Sequence, residues 1–176
     1  MKKIVVSLLV AIAAITGSQK SEAAEITVSY GGYTAMDACG YYKDNWHSVN
    51  TAWGAVSATA YFPVTKNMMI GPSYTISSAS TKGGSNASHL LYNTILFNGK
   101  YQYFRNSTVK LYAHVGVGVE ITHFSPKFFD SYNKAYFGWQ VSPIGATVDL
   151  NRDFGLFGEV GFGCQGLVQV GFKINI

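Results

Sequence analysis

The stretch from Val109 to Ile121, VKLYAHVGVGVEI, carries an apolar side chain at every odd position: Val109, Leu111, Ala113, Val115, Val117, Val119 and Ile121. Lys110, Tyr112, His114, two glycines and Glu120 hold the even positions. Successive side chains of a strand point to opposite faces, so this period of two predicts a β-strand with one apolar and one polar side. Alternation does not say what each side touches. Apolar groups turned inward make a soluble, lipocalin-like barrel, whereas apolar groups turned toward hydrocarbon make a membrane barrel with a polar inside.

The same rhythm recurs along the chain and predicts eight strands, at about 26–34, 50–62, 68–79, 89–104, 109–122, 135–150, 154–163 and 167–176. Several exceed the 5–6 residues usual in soluble sheets and suit a tilted strand crossing a bilayer, which needs roughly 9–11. The connections alternate in length. Residues 63–67 (PVTKN), 105–108 (RNST) and 151–153 (NRD) read as tight turns, while 35–49, 80–88 and 123–134 are longer, polar and aromatic. Short turns on one side and long loops on the other is the layout of an outer-membrane barrel, with both termini on the short-turn, periplasmic side. The link at 164–166 is the one short exterior connection. Apolar positions shift from odd (Phe137, Trp139, Val141) to even (Ile144, Ala146, Val148, Leu150) across Pro143, which predicts a bulge there. Pro72 falls in the third strand without a change of phase, and the alanine-rich second strand leaves its two faces unassigned.

Composition agrees with lipid as the outer medium. Charged residues are 12% of the chain, against about 25% in an average soluble domain, and aromatics reach 15%. Lys2 and Lys3 precede an apolar run from Ile4 to Thr16, and Ser21 and Ala23 place small residues before a cleavage point; residues 1–23 therefore read as a secretory signal peptide and 24–176 as one barrel domain. Removing Lys2, Lys3, Lys20 and Glu22 halves the formal charge of +4, so little basicity is left to recommend nucleic acid as a partner. No later segment has 18 unbroken apolar residues, which excludes a transmembrane helix and leaves a closed barrel as the way to cross a bilayer.

With its signal peptide, eight alternating strands, three short turns and terminal strand QVGFKINI, the chain resembles the small eight-stranded outer-membrane barrels of the OmpX and OmpA-transmembrane type. The likeness is architectural and spans essentially all of residues 24–176. It implies an all-β, antiparallel up-and-down transmembrane barrel in a Gram-negative outer membrane. It also implies handling by periplasmic chaperones and the barrel insertion machinery, which in that family reads an aromatic residue at the end of the last strand. Here the chain ends in Ile176, and the nearest aromatic is Phe172.

Eight strands enclose a space that side chains can fill. Parity sends Lys100, Lys110, Glu120, Glu159 and Lys173 inward, where buried charges need partners, so an ion network plugging the lumen is expected in preference to a narrow channel or small-solute porin. A last hairpin turning at Gln165 would make Glu159 and Lys173 diagonal neighbours.

His123-Phe124-Ser125 is the one spacing that suggests catalysis. Both polar side chains lie on the odd face at the outer rim, where a histidine base could activate a serine toward an ester. It resembles the His-x-Ser pair of lipid A deacylase barrels, with Pro126 where that family has Asn and no outward acid to orient the histidine. The preferred reading is a rim histidine and serine in a loop, with no enzymatic activity and no cofactor. His89 is expected opposite His123, and two histidines are too few ligands for a metal site. GFGCQG (161–166) matches a dinucleotide-binding glycine pattern, but only ten residues follow it, too few for the helix and distant acid that such a site needs. Cys39 and Cys164 both fall on exterior connections of the first and last strands, which barrel closure brings together, so a disulfide between them is a candidate.

The long loops carry Tyr41, Tyr42, Trp46, Phe124, Phe128, Phe129 and Tyr132, expected as an aromatic girdle and as contacts for surface partners. The resulting expectation is a monomeric, non-catalytic barrel anchored among outer-membrane lipid and lipopolysaccharide, presenting its exterior loops.

Overall fold

A computed structural model of the chain describes residues 24–44, 46, 49–82 and 87–176; the expected signal peptide lies outside them. Eight strands run in sequence: β1 (Glu25–Gly32), β2 (Ala55–Pro63), β3 (Met68–Ser80), β4 (His89–Arg105), β5 (Val109–Ser125), β6 (Tyr132–Asp149), β7 (Phe154–Gly163) and β8 (Val168–Asn175). Each is antiparallel to the next, and β8 returns to β1 with Val28 opposite Phe172, closing an up-and-down barrel. Closure pairs every strand on both sides and leaves no open edge.

The faces are the reverse of a soluble barrel. Thr27, Ser57, Thr75, Asn98, Lys100, Glu159 and Lys173 are buried inside, while Ile95, Val117, Val141, Val160 and Val170 stand exposed outside. The lipocalin-like alternative requires the opposite and is thereby set aside. In β2, where the sequence left the faces unassigned, Ala55, Ser57, Thr59 and Tyr61 point in and Val56 points out.

At Pro143 the register slips by one residue against both neighbours, between Tyr112 and His114 of β5 and between Val141 and Ile144 of β6. Proline lacks the amide hydrogen a regular ladder would use, and the bulge absorbs the missing bond. Pro72 stays in register opposite Phe97. A second bulge lies between Gln102 and Phe104, where no proline marks it in the sequence.

Strand ends depart from the sequence expectation at the long loops. β2 starts at Ala55 rather than Asn50, β5 runs on to Ser125, and β6 starts at Tyr132 rather than Ala135, so His123 and Ser125 stand on a strand and not in a loop. The first long connection folds into the barrel mouth as a plug, made of a one-turn helix α1 (Ala35–Ala38) and a 3-10 turn (Gly40–Lys43). Asp37 ties it together, accepting the Thr34 amide at 2.9 Å and hydroxyl at 3.0 Å while its other oxygen takes the Ala52 amide at 2.6 Å. Ala35, Met36 and Tyr42 of the plug are buried with Leu90, Tyr92, Phe124 and Cys164, forming the apolar cluster of the interior.

Candidate functional site

The interior network is built from inward positions of all eight strands. Nearest the chain termini, Asp149 is shared by Lys110 at 3.2 Å and Lys173 at 2.5 Å. Lys100 pairs with Glu25, and its ammonium lies over the Tyr112 ring, 4.4 Å from the centroid, and the Tyr61 ring, 5.2 Å away. Tyr112 can reach across because its partner on β6 is Gly145: a Cβ there would sit 2.5 Å from the Tyr112 ring carbons. The ring crosses that gap and donates its hydroxyl to Glu159 on β7 at 2.8 Å.

Glu159 also takes His114 Nδ1 at 3.0 Å, and His114 Nε2 faces Asn98 Oδ1 at 2.9 Å. Asn98 turns its amide nitrogen to Ser73 Oγ at 2.8 Å and the Gly71 carbonyl at 3.2 Å, which leaves Oδ1 toward the histidine. Both ring nitrogens of His114 are thus engaged, one by Glu159 and one by Asn98. From Ser73 the network continues through Gln165 Nε2 at 3.1 Å, and the Gln165 amide donates to Gln140 Oε1 at 2.9 Å. The turn beyond relies on Gly166, whose φ of +117° a side chain would strain. The bonds run unbroken from Tyr112 and Glu159 through His114, Asn98, Ser73 and Gln165 to Gln140, toward the loop end, and the Asp149 cluster lies nearer the chain termini.

Of the five charged residues read as inward, Lys100, Lys110, Glu159 and Lys173 enter this network, and Glu120 does not. The expected Glu159–Lys173 contact is corrected. Glu159 is opposite Gln169 and Lys173 opposite Gly155, because the last hairpin turns earlier than Gln165. Glu25, His114 and Asp149 complete the network without having been singled out, although their parity was readable: His114 shares the even face of Lys110 and Glu120, and Asp149 becomes inward once the Pro143 slip is applied.

At the rim, His123 and Ser125 share the outer face of β5, but each is engaged elsewhere. His123 Nδ1 lies 2.6 Å from Asn133 Oδ1, and Ser125 Oγ lies 3.5 Å from Ser131 Oγ. The expected placement of His89 opposite His123 is also corrected: His89 faces Ser125, and Leu91 faces His123.

In the loops, Trp46 Nε1 donates to Tyr132 Oη at 3.1 Å, and Tyr132 donates to Asp44 at 3.1 Å. The Lys134 ammonium on Asp44 holds that carboxyl below its ordinary range, with Tyr132 adding to the effect. Tyr132 stacks on Phe124 with centroids 4.8 Å apart. Trp46, Ser88, Pro126, Lys127, Phe128 and Tyr132 line an open cleft of about 390 Å³. Phe128 and Phe129 are 74% and 82% exposed, and Tyr41 is exposed with its ring against Tyr136. Tyr42 is no surface contact. It turns down into the mouth and donates to the Phe137 carbonyl at 2.9 Å, and burial pushes its phenol well above the usual value. Cys39 and Cys164 are both free thiols; Cys164 Sγ is 3.9 Å from the Tyr42 hydroxyl, and burial raises its thiol above the ordinary value.

No protein-family model matches the chain, and no curated protein matches its sequence. Among solved structures it is similar to Ail, the attachment invasion locus protein of Yersinia pestis, at 12% identity and a TM-score of 0.50 over 88% of this chain and 95% of that one. The N-terminal β-barrel domain of Pseudomonas aeruginosa OprF aligns at 10% identity and a TM-score of 0.48, over 90% of this chain and all of that one. At these identities the likeness is one of fold.

Proposed function

We propose that this chain is an integral outer-membrane β-barrel protein of a Gram-negative bacterium, with a plugged polar interior, acting without catalysis as a structural or interaction protein through its exterior loops. One observation carries the reading: every strand exposes apolar side chains outward, while Glu25, Lys100, His114, Glu159 and Lys173 are buried inside. Such a surface is solvated by hydrocarbon, and closure satisfies the backbone there. Outer-membrane lipid and lipopolysaccharide are then its immediate neighbours, chaperones and the insertion machinery its partners during biogenesis, and the monomer its working form. Tyr41, Phe128 and Phe129 at the loop end are the groups offered to a surface partner.

Absence of catalysis is supported at the rim. The amide of Asn133 stands where a triad would need a carboxylate, and Ser125 turns to Ser131 rather than to His123. The test is reconstitution in lipopolysaccharide-containing bilayers, with lipid A examined by mass spectrometry for the wild type and Ser125→Ala. Intact lipid A with both proteins is expected. Deacylation by the wild type alone would transfer the reading to a lipid A-modifying esterase, and discrete conductance steps in the same bilayers would transfer it to a narrow channel.

A further inference from the structure

Below the plug the interior holds a carboxylate that meets no cationic side chain among the described residues. Glu120 is wholly buried, and its recorded hydrogen-bond partner is Thr122 Oγ1, 3.0 Å from each carboxylate oxygen. That hydroxyl lies 3.2 Å from the Tyr42 carbonyl as well and has one proton to give. It therefore fills at most one of the roughly four acceptor positions of an ionised carboxylate. The buried basic side chains Lys100, Lys173 and His114 are committed elsewhere, to Glu25, Asp149 and Glu159.

Orphaned oxygens surround it. Thr94 on β4 and Tyr136 on β6 are the register partners of Glu120 on its two sides, and Tyr92 is the partner of Thr122. The hydroxyls of Tyr92, Thr94 and Tyr136 are all buried without a hydrogen-bond partner. Facing residues on paired strands have their Cβ atoms about 4.5–5.5 Å apart, so these side chains rise from inward positions next to Glu120, and the Tyr42 carbonyl lies over Thr122. Buried hydroxyls left unpaired are costly, and several of them beside a buried carboxylate call for an occupant.

We infer that this site binds a single alkali-metal cation, with Glu120 as the anionic ligand and Tyr92, Thr94, Thr122 and Tyr136 as neutral oxygen ligands. An all-oxygen donor set selects a hard cation. One negative charge is neutralised by a monovalent ion, whereas a divalent ion would leave net charge in a medium that penalises it. The site is separate from the loop surface proposed above and stands or falls independently of it.

The experiment is thermal unfolding of the full folded chain in detergent micelles, in sodium chloride against N-methylglucamine chloride at equal ionic strength, together with sodium-23 relaxation. The wild type should melt higher in sodium, by roughly 3–5 °C for each tenfold rise above the dissociation constant, and should broaden the sodium signal. Glu120→Gln should abolish both effects. Thr94→Val, which keeps the carboxylate and the shape of the side chain, should move the effect to higher sodium concentration and serves if Glu120→Gln does not fold. Equal melting of the wild type in the two salts, a sodium effect that survives in Glu120→Gln, or an unaltered sodium dependence in Thr94→Val overturns the assignment.

Discussion

Val117→Arg asks directly which medium surrounds the barrel. Val117 is 56% exposed and lies between Phe97 and Trp139 on the neighbouring strands. Along β5, Ala113 stands opposite Tyr101, an exposed aromatic toward the terminal end, and Ile121 stands opposite Asn93, which takes the Tyr74 hydroxyl toward the loop end. With a rise of about 3.4 Å per residue and a tilt of about 40°, that interval spans roughly 20 Å along the membrane normal, close to the apolar band of about 25 Å expected of such barrels. Val117 is its midpoint. Arginine there should cost about 2–4 kcal/mol, falling to about 0–1 kcal/mol at Ile121, nearer the interface. Val109→Arg, about 20 Å from the midpoint by the same rise and tilt, should cost almost nothing. A water-exposed surface would instead tolerate all three substitutions within about 0.5 kcal/mol. Urea titration of the protein folded into phospholipid vesicles, followed by tryptophan emission, measures the series. A flat profile from Val109 to Ile121 would refute the membrane-facing assignment.

Further outcomes follow from the interior and the loops. Glu25→Gln or Lys100→Met alone should destabilise by about 3–5 kcal/mol, because each strands a buried charge, and the double variant should lose clearly less than the sum of the two; additive losses in the same titration would show that the pair is not coupled. Since Lys134 holds Asp44 below the ordinary carboxylate range, the contact between them should persist down through about pH 4 and be lost as the pH falls through the lowered value. Emission from Trp46, linked to Asp44 through Tyr132, should report the protonation of Asp44, and Lys134→Gln should move that transition to higher pH.

Much of the fold was legible because period-two alternation survives in any register. The phase of β5 and β8, the short turns and the slip at Pro143 could all be read without coordinates, and parity alone sent Lys100, Lys110, Glu120, Glu159 and Lys173 to one side. Pairing between those charges was a different matter. Glu25 and Lys100 lie 75 residues apart and meet across the lumen; the register of the last hairpin puts Lys173 beside Gly155, itself opposite Asp149, while Glu159 meets His114 across β6. The plug was illegible for another reason: residues 35–49 have no period, so nothing local distinguishes Tyr42, which is buried, from Tyr41, which is exposed.

Sequence by itself determined that this chain has two unlike faces per strand and enough strands to close, since side-chain direction along a strand is a property of the backbone. Tertiary structure alone decided which charges meet, that the first loop caps the mouth, and that Glu120 is left among orphaned hydroxyls. Those contacts lie across the barrel, and their distances depend on the stagger accumulated around all eight strands, a quantity that no single segment carries.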